Sequence, residues 1–307
     1  MILGITTAIN SPAGYEEREP EYALNFYRSD ENFEVINYLN SFPIEYIPYQ
    51  LMFTSYKDKS WMIVTGSDQK CHLYEFNPAF QRYCSIGDDF VRPIFPELVD
   101  EFDSVPMWIS IFYENAKRIT AIGFECGTFL IFIVDCQTNT VLETHEETFD
   151  GPVTRVVFFP PSTDSKEENA DGVKLLVLSS LSVSKVFYNV FQDGLTNFAI
   201  LPSSADYDVP TCCTIADLDF DGKNEIIIGT YGEMFLVYKA KKDEELNKEY
   251  WDLVWEKSFN CPIHGIFDVD ITQDGVKEIL IVTLKSVIVL QHDHKMIKEH
   301  LNMLLNK

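Results

Sequence analysis

The stretch DLDFDGKNEIIIGTYGEMFLVYK, residues Asp217–Lys239, has the clearest pattern in the sequence. It carries three aspartates at alternate positions, a glycine suited to a tight reversal, a further carboxylate and then a run of isoleucines. The later stretch DVDITQDGVKEILIVTLKSVIVLQH, residues Asp268–His292, follows the same plan. Recurrence of the same acidic turn indicates a repeated structural unit, so the two stretches predict a repeat protein.

The repeat unit is a short apolar strand, a small or polar turn, and a second strand that ends in aromatic or aliphatic residues. Five copies cover residues 61–76, 119–135, 173–190, 224–239 and 277–292. Their turn-entry positions are Gly66, Gly123, Ser179, Gly229 and Thr283. Intervals of roughly 50 to 57 residues suit one four-stranded propeller blade for each copy. A degenerate sixth copy opens the chain, where a polar insertion separates ILGITTA from ALNFYRS.

Two apolar triplets, residues 226–228 and 279–281, do not alternate with polar residues. We expect them to be buried on both faces, as in a blade strand that lies between two neighbouring sheets. A helical solenoid would need a 3.6-residue apolar stripe, which is absent, and the strands of a single sandwich should alternate and turn more often. We therefore predict an all-β fold, a β-propeller of about six blades in one domain over residues 1–292.

Composition limits the classes of partner. The 307 residues include 48 Asp+Glu against 24 Lys+Arg, which gives a formal net charge of −24. This charge repels phosphate backbones and anionic membrane surfaces, so neither nucleic acid nor direct membrane insertion is predicted. With 46% hydrophobic residues the chain can bury a sizeable core.

The start and the cysteines indicate a cytoplasmic protein. The opening MILGITTAIN has no basic leader and its apolar run is soon broken by threonines, which argues against a secretory signal. The seven cysteines are scattered and form no CxxC pair, which fits reduced thiols better than disulfides or zinc ligands.

Both acidic turns are candidate calcium sites. Calcium takes six to eight oxygen ligands, and alternating carboxylates can supply several of them. The candidate ligands are Asp217, Asp219, Asp221 and Glu225 in the first turn, and Asp270, Thr272, Asp274 and Glu278 in the second. A purely structural alternative stays open, in which the aspartates cap the amides of the turn and the glycine takes a positive φ. No other cofactor is predicted.

No catalytic residue is predicted. The sequence has no GxxxxGK loop, no GxSxG elbow and no HExxH. The His292–Asp293–His294 cluster fits solvated surface histidines better than a metal site, and adjacent Cys212 and Cys213 fit buried packing better than a redox role. Groups from different blades can still converge at the centre of a propeller, so a propeller enzyme remains an alternative.

Two segments lie outside the repeat. Residues 160–172, PPSTDSKEENADG, are acidic and polar and predict a surface loop. Residues 293–307 predict a short amphipathic C-terminal helix with an apolar face formed by Ile297, Leu301, Leu304 and Leu305. Either the propeller or a partner protein would cover that face.

The residues that carry the repeat also carry a family resemblance. The two acidic stretches, the earlier VTGSDQKCHLYEF and the linking DGPVTRVVFF resemble the kaptin family, in content and in order. The resemblance covers nearly the whole sequence, and GTYGEMFLVYK and TLKSVIVLQH are its most specific parts. The acidic turn alone is typical of the wider FG-GAP repeat class of propellers.

The resemblance implies a non-enzymatic propeller that pairs with a second FG-GAP-like propeller protein and other subunits in the KICSTOR complex. That complex is a scaffold on the lysosomal surface that holds the GTPase-activating complex for the Rag GTPases. Loss of amino acids or glucose would then turn TOR complex 1 signalling off. The alternative that the resemblance offers is association with filamentous actin in lamellipodia and stereocilia. Because an acidic chain does not favour acidic filaments, that association would be indirect or would use a local basic patch.

The chain also departs from the family pattern. Family members are longer at the N-terminus, which implies that one blade of a seven-bladed ring is missing here. Three readings follow: a shortened product, a ring that a partner closes, or a smaller ring. An open ring would expose unpaired edges or apolar faces.

Overall fold

The structure, a computed structural model, describes residues 2–9, 20–29, 36–99, 101–159, 172–243, 248–293, 295 and 297–298. Strands β1 to β22 form six sheets, and each sheet is built from three or four consecutive strands. The predicted all-β fold, a propeller of six blades, is confirmed. No helix in this described part of the chain is long and apolar enough to cross a membrane.

The first three blades hold strands β1 to β11. Blade 1 has the order β1-β2-β3, blade 2 the order β4-β5-β6-β7 and blade 3 the order β8-β9-β10-β11. A short helix, α1, and a 3₁₀ turn link blades 2 and 3. The bounds are β1 Ile2–Ile9, β2 Glu21–Ser29, β3 Ile36–Ile44, β4 Pro48–Tyr56, β5 Lys59–Gly66, β6 Cys71–Asn77, β7 Arg82–Ser85, α1 Asp88–Val91, the 3₁₀ turn Pro96–Leu98, β8 Pro106–Glu114, β9 Lys117–Phe124, β10 Thr128–Asp135 and β11 Thr140–Thr148.

The last three blades hold strands β12 to β22. Blade 4 has the order β12-β13-β14-β15, blade 5 the order β16-β17-β18-β19 and blade 6 the order β20-β21-β22. The bounds are β12 Val153–Phe159, β13 Lys174–Ser179, β14 Lys185–Phe187, α2 Val190–Asp193, β15 Phe198–Ile200, β16 Pro210–Ala216, β17 Glu225–Thr230, β18 Met234–Asp243, β19 Lys248–Ser258, β20 Ile263–Val269, β21 Glu278–Thr283 and β22 Val287–Leu290.

The chain divides into two compact units. The first consists of Met1–Cys126 with Leu130–Thr144, and the second of Gly127–Phe129 with His145–Lys307. The boundary falls within blade 3. The single domain over residues 1–292, with a separate tail at 293–307, stays a prediction.

The five predicted repeat copies coincide with the second and third strands of blades 2 to 6. Each turn-entry position is the last or the next-to-last residue of the second strand of its blade. Opposite that strand end, the first strand of every one of these blades has a β-bulge, for example between Pro48 and Gln50 and between Ile263 and Gly265. A bulge raises the local twist of a strand, and its recurrence shows that the repeat extends to backbone geometry.

The sixth, degenerate copy is also a strand pair, since β1 and β2 run antiparallel with Ile2 opposite Arg28 and Ile9 opposite Glu21. Most of its polar insertion, residues 10–19, and nearly all of the predicted loop at 160–172 lie outside the described residues. The same holds for Leu301, Leu304 and Leu305 of the predicted tail, although Ile297 is helical and its N–H donates to the Asp293 carbonyl at 3.1 Å.

In the second unit, β17 lies between two layers of side chains, as the triplet Ile226–Ile228 predicts. Ile226 and Ile228 pack with Leu176 and Leu178 of blade 4. Ile227 points the other way and packs with Ile281 of blade 6. Every residue of β17 is buried, which explains why its sequence does not alternate.

In the first unit, blades 1 and 2 share a core of aromatic and aliphatic side chains. Leu24 and Phe26 of β2 pack with Met62 and Val64 of β5. Phe26 also stacks on Tyr83 with ring centroids 4.5 Å apart. One face of blade 1 is thereby buried.

Candidate functional site

The first acidic turn joins β16 to β17 and is capped by Asp217. Its carboxylate accepts the N–H groups of Asp221 at 3.2 Å and Gly222 at 2.9 Å. Gly222 has a φ of 85°, a left-handed conformation that glycine adopts without strain. Asp221 in turn accepts the N–H of Lys223 at 2.8 Å. This is the structural role that the sequence pattern allows for these aspartates.

Glu225 closes the turn from the first position of β17 and is only 2% exposed. Its Oε2 accepts the Leu218 N–H at 2.8 Å. Burial raises the pKa of the Glu225 carboxyl above its usual value, and the negative charge of Asp219 adds to the rise, while the hydrogen bond from Leu218 opposes it.

Lys239, on β18, brings its ammonium group into the turn. Nζ contacts Asp219 Oδ2, lies 2.8 Å from Asp221 Oδ2 and lies 3.2 Å from Glu225 Oε1. Burial disfavours the charge on Lys239, but hydrogen bonds to the three carboxylates outweigh it and raise the lysine pKa. For Asp221, burial acts to raise the pKa, and the hydrogen bond with Lys239 leads the contributions that lower it below the usual value. The turn thus holds an ion cluster in which one ammonium group contacts three carboxylates.

Three of the predicted calcium ligands do meet. Asp217, Asp219 and Glu225 each place one carboxylate oxygen within 4.8 Å of the others. The fourth, Asp221, joins them through Lys239. Because the ammonium already contacts three of these carboxylates, calcium would have to displace it to gather six or more oxygens. As arranged, the residues fit an ammonium group better than a divalent ion, and calcium binding stays a prediction.

The second acidic turn, between β20 and β21, repeats the framework without a lysine at the position of Lys239; its Lys277 instead pairs with Asp268 at 2.8 Å. Asp270 accepts the N–H groups of Asp274 at 3.2 Å and Gly275 at 2.9 Å. Glu278 accepts the Ile271 N–H at 2.9 Å and the Thr272 hydroxyl at 2.9 Å. The four predicted ligands, Asp270, Thr272, Asp274 and Glu278, therefore share one turn, and its hydrogen bonds come from within the turn.

The other candidate groups stay apart from a common site. His292 stacks at a tilt on Phe220, at the tip of the first turn, with ring centroids 4.6 Å apart, and His294 lies outside the described residues. Burial raises the pKa of the Cys212 thiol to about 11, which keeps it protonated and unreactive near neutral pH. A small pocket of about 190 Å³, lined by residues such as Phe259, Cys261 and Ile288, is below the usual size of a ligand site.

A further feature of the second unit is an apolar sheet face that is open to solvent. On blade 6, one row of the sheet is Phe267, Leu280 and Val289, and the next is Gly265, Val282 and Val287. Phe267 is 53% exposed, Val287 63% and Val289 42%. We call these six residues the open face of blade 6. The opposite face, with Ile266 and Ile281, is buried against blade 5.

The open face departs from the ordinary pattern of antiparallel sheets. A sheet with one face in water normally alternates apolar residues inward with polar residues outward. Here both faces are apolar, and exposed apolar patches of this kind mark interaction sites. The lack of alternation in the apolar triplet at 279–281 predicts burial on both faces. Ile279 and Ile281 are buried, whereas Leu280 on the open face is only partly so.

Lys239 belongs to this site although the acidic pattern of the sequence does not predict it. Lys239 is the last residue of the stretch Asp217–Lys239, and a single lysine at that position has no sequence pattern that indicates a role. The available signal was the hairpin register. Ile226 pairs with Tyr238, so that Glu225 and Lys239 occupy the next opposed positions.

Comparison with known proteins identifies the family. The sequence profile described as KICSTOR complex protein kaptin matches residues 1–302. The KICSTOR complex protein kaptin of Mus musculus is 29% identical over 258 residues, which are 81% of this chain and 59% of the mouse protein. The chain thus spans about 59% of the length of that relative.

A solved structure supports the fold. The crystal structure of BBS1N in complex with ARL6DN, soaked with mercury, matches 88% of this chain and 73% of its own with a TM-score of 0.53. At 10% sequence identity this likeness concerns the fold alone. The profile match over nearly the whole sequence carries the assignment: the chain belongs to the family of KICSTOR complex protein kaptin.

Proposed function

We propose that the chain is a non-enzymatic scaffold subunit of a KICSTOR-like complex. In this role it recruits the Rag GTPase-activating complex to lysosomes and restrains TOR complex 1 signalling when amino acids or glucose are lost. Family membership supports the assignment to the complex, because the mouse relative bears the name of a KICSTOR complex protein. The single structural observation that supports a scaffold is the open face of blade 6.

The partner that best suits the open face is a sheet of a second propeller protein, which would cover it. The two rows are apolar and free of charged side chains. A blade normally buries such a face against another sheet, about 10 Å away, with side chains interdigitated. A partner blade would remove the half-exposed Phe267, Val287 and Val289 from water, which is the main favourable contribution to association.

The net charge supports indirect membrane association. A formal charge of −24 repels anionic lipid, so the chain would reach the lysosomal surface through its partners. The proposal therefore predicts that lysosomal localisation depends on the protein contacts of the chain.

Val289→Lys tests the open face. The side chain is 42% exposed, so the lysine stays solvated in the free chain and the melting temperature should change by less than about 2 °C. In a complex the ammonium would be buried between two apolar sheets, and affinity for the propeller partner should fall by about 10-fold or more. The measurement is quantitative co-purification of the second propeller subunit with the tagged variant and with the tagged wild type.

Val254→Lys is the matched control. Val254 is the same residue type with 45% exposure, and it lies on β19, the last strand of blade 5. Partner recovery should be unchanged in this variant. An equal loss of the partner with both variants, or with neither, would remove the open face from the interface.

The assembly itself is tested by purifying the tagged chain from fed and amino-acid-starved cells and identifying the bound proteins by mass spectrometry. We expect a second FG-GAP-like propeller protein, other KICSTOR subunits and the Rag GTPase-activating complex. Cells that lack the chain should keep TOR complex 1 active during starvation. Recovery of actin and its regulators alone, with normal TOR complex 1 inhibition in such cells, would contradict the proposal and favour the cytoskeletal alternative.

A further inference from the structure

The first acidic turn gathers three carboxylates around one point. Asp219, Asp221 and Glu225 all direct an oxygen at Lys239 Nζ. Three like charges this close repel one another unless a cation lies among them. The turn therefore requires a positive charge, and Lys239 supplies one from within the chain.

The hairpin register determines the position of that charge. Residues of β17 and β18 pair in order, and the pair Ile226–Tyr238 places Glu225 and Lys239 at the next opposed positions. Side chains at opposed positions of an antiparallel pair lie on the same face of the sheet. The Lys239 side chain is only 22% exposed and Glu225 is 2% exposed. The ammonium is thus placed by the pairing of β18 with the buried strand β17.

Four further carboxylate oxygens of the turn accept backbone amides. Both oxygens of Asp217 accept N–H groups of the turn, and Asp221 Oδ1 accepts another. Glu225 Oε2 accepts the N–H of Leu218. Calcium needs six to eight oxygens at short distance, whereas an ammonium group is satisfied by three acceptors. The number of carboxylates that face Lys239 is the number that its three N–H groups can serve.

The second turn limits the repulsion among its carboxylates in a different way. Ile279 pairs with Leu290, so the residue that corresponds to Lys239 is Gln291. There Thr272 stands in place of Asp219, and its hydroxyl donates to Glu278 at 2.9 Å. The turn that has Gln291 at the position of Lys239 thus also has one carboxylate fewer. Lysine and the third carboxylate occur together in blade 5 and are both replaced in blade 6.

We propose that Lys239 occupies the cation position of the first acidic turn, so that blade 5 is held closed by an internal ammonium group and independently of calcium. This differs from the calcium site that the aspartate spacing predicts. The lysine joins the turn to β18, and its loss would leave three carboxylates in mutual repulsion beside the buried start of β17.

Lys239→Met tests the proposal in the full chain, because methionine keeps most of the length of the side chain and removes its charge. Thermal unfolding is followed in EGTA and in excess CaCl2. Wild type should melt at the same temperature in both buffers, and titration calorimetry with CaCl2 should show no binding heat. In EGTA, Lys239→Met should melt about 4–8 °C below wild type.

Lys241→Met is the control on the same strand. Lys241 pairs with a single exposed carboxylate, Asp252, at 2.5 Å, so its loss should lower the melting temperature by less than about 2 °C. A second variant, Asp219→Asn, should lower the melting temperature equally in both buffers. The proposal is overturned if calcium stabilises wild type and Asp219→Asn abolishes that stabilisation. It is equally overturned if Lys239→Met melts like Lys241→Met in EGTA.

Discussion

Ile227→Asp is expected to lower the free energy of unfolding of the second unit by about 4 kcal/mol or more. Ile227 is fully buried in the middle of β17 and packs with Phe235, Ile263 and Ile281. The other face of the strand is covered as well, so the new carboxylate cannot turn to water on either side. The cluster around it is apolar, and an unpaired charge in such surroundings is among the most destabilising changes known.

Urea unfolding monitored by far-UV circular dichroism measures this loss, as a transition at much lower urea than in wild type. Ile227→Val is the control for volume alone and should cost about 0.5–1.5 kcal/mol. If the aspartate variant unfolds at the same urea concentration as wild type, Ile227 does not lie between two sheets, and the assignment of β17 to a blade interior is wrong.

The position of Ile227 could be predicted because its pattern is local. Three consecutive isoleucines without alternation indicate a strand that is covered on both faces, and the recurrence of the same hairpin indicates a repeated sheet. The first inference uses only neighbours in sequence, and the second compares segments that recur along the chain. The same reasoning found the strand pair in each blade, and the turn-entry residues marked the end of the second strand within one residue.

The ion cluster of the first turn could not be predicted in the same way. Its aspartates are sequence neighbours and were found, but Lys239 enters from the adjacent strand. A lysine among other charged residues has no pattern of its own, and its role appears only when the register of β17 and β18 is known. The same limit applies to the open face of blade 6. Sequence shows that Val287 and Val289 are apolar, but exposure depends on what packs against the sheet.

A buried ion pair in the first unit could not be predicted from the sequence either, because its two partners come from different elements. Arg118 on β9 is fully buried and meets Glu97 of the 3₁₀ turn through two hydrogen bonds, each of 2.9 Å. The Ile94 carbonyl accepts a further bond from Arg118 at 3.0 Å, and the guanidinium lies 4.6 Å from the centre of the Phe95 ring. Thr120 also donates to Glu97, at 2.8 Å.

Arg118→Met is therefore expected to cost about 3–5 kcal/mol, because it leaves the Glu97 carboxylate buried without its cation. Arg118→Lys keeps the charge but loses the paired geometry, so it should also destabilise the unit, by a smaller amount. The measurement is the free energy of unfolding of each variant from urea titrations.

The double variant Arg118→Met, Glu97→Met distinguishes the contribution of the ion pair to stability from that of the packing around it. If the cost of Arg118→Met comes from a stranded carboxylate, removing that carboxylate should restore most of the lost stability, since apolar replacements of a buried ion pair are often neutral or stabilising. If the double variant is as unstable as the sum of the two single variants, the contribution of Arg118 comes from its contacts with the Ile94 carbonyl and the ring of Phe95. In either case Arg118 contributes to joining the segment between blades 2 and 3 to β9. Arg118 and Lys239 therefore act alike, one in a buried setting and one at a turn. Each is a cation from a neighbouring element that neutralises carboxylates, and the sequence alone shows only the carboxylates.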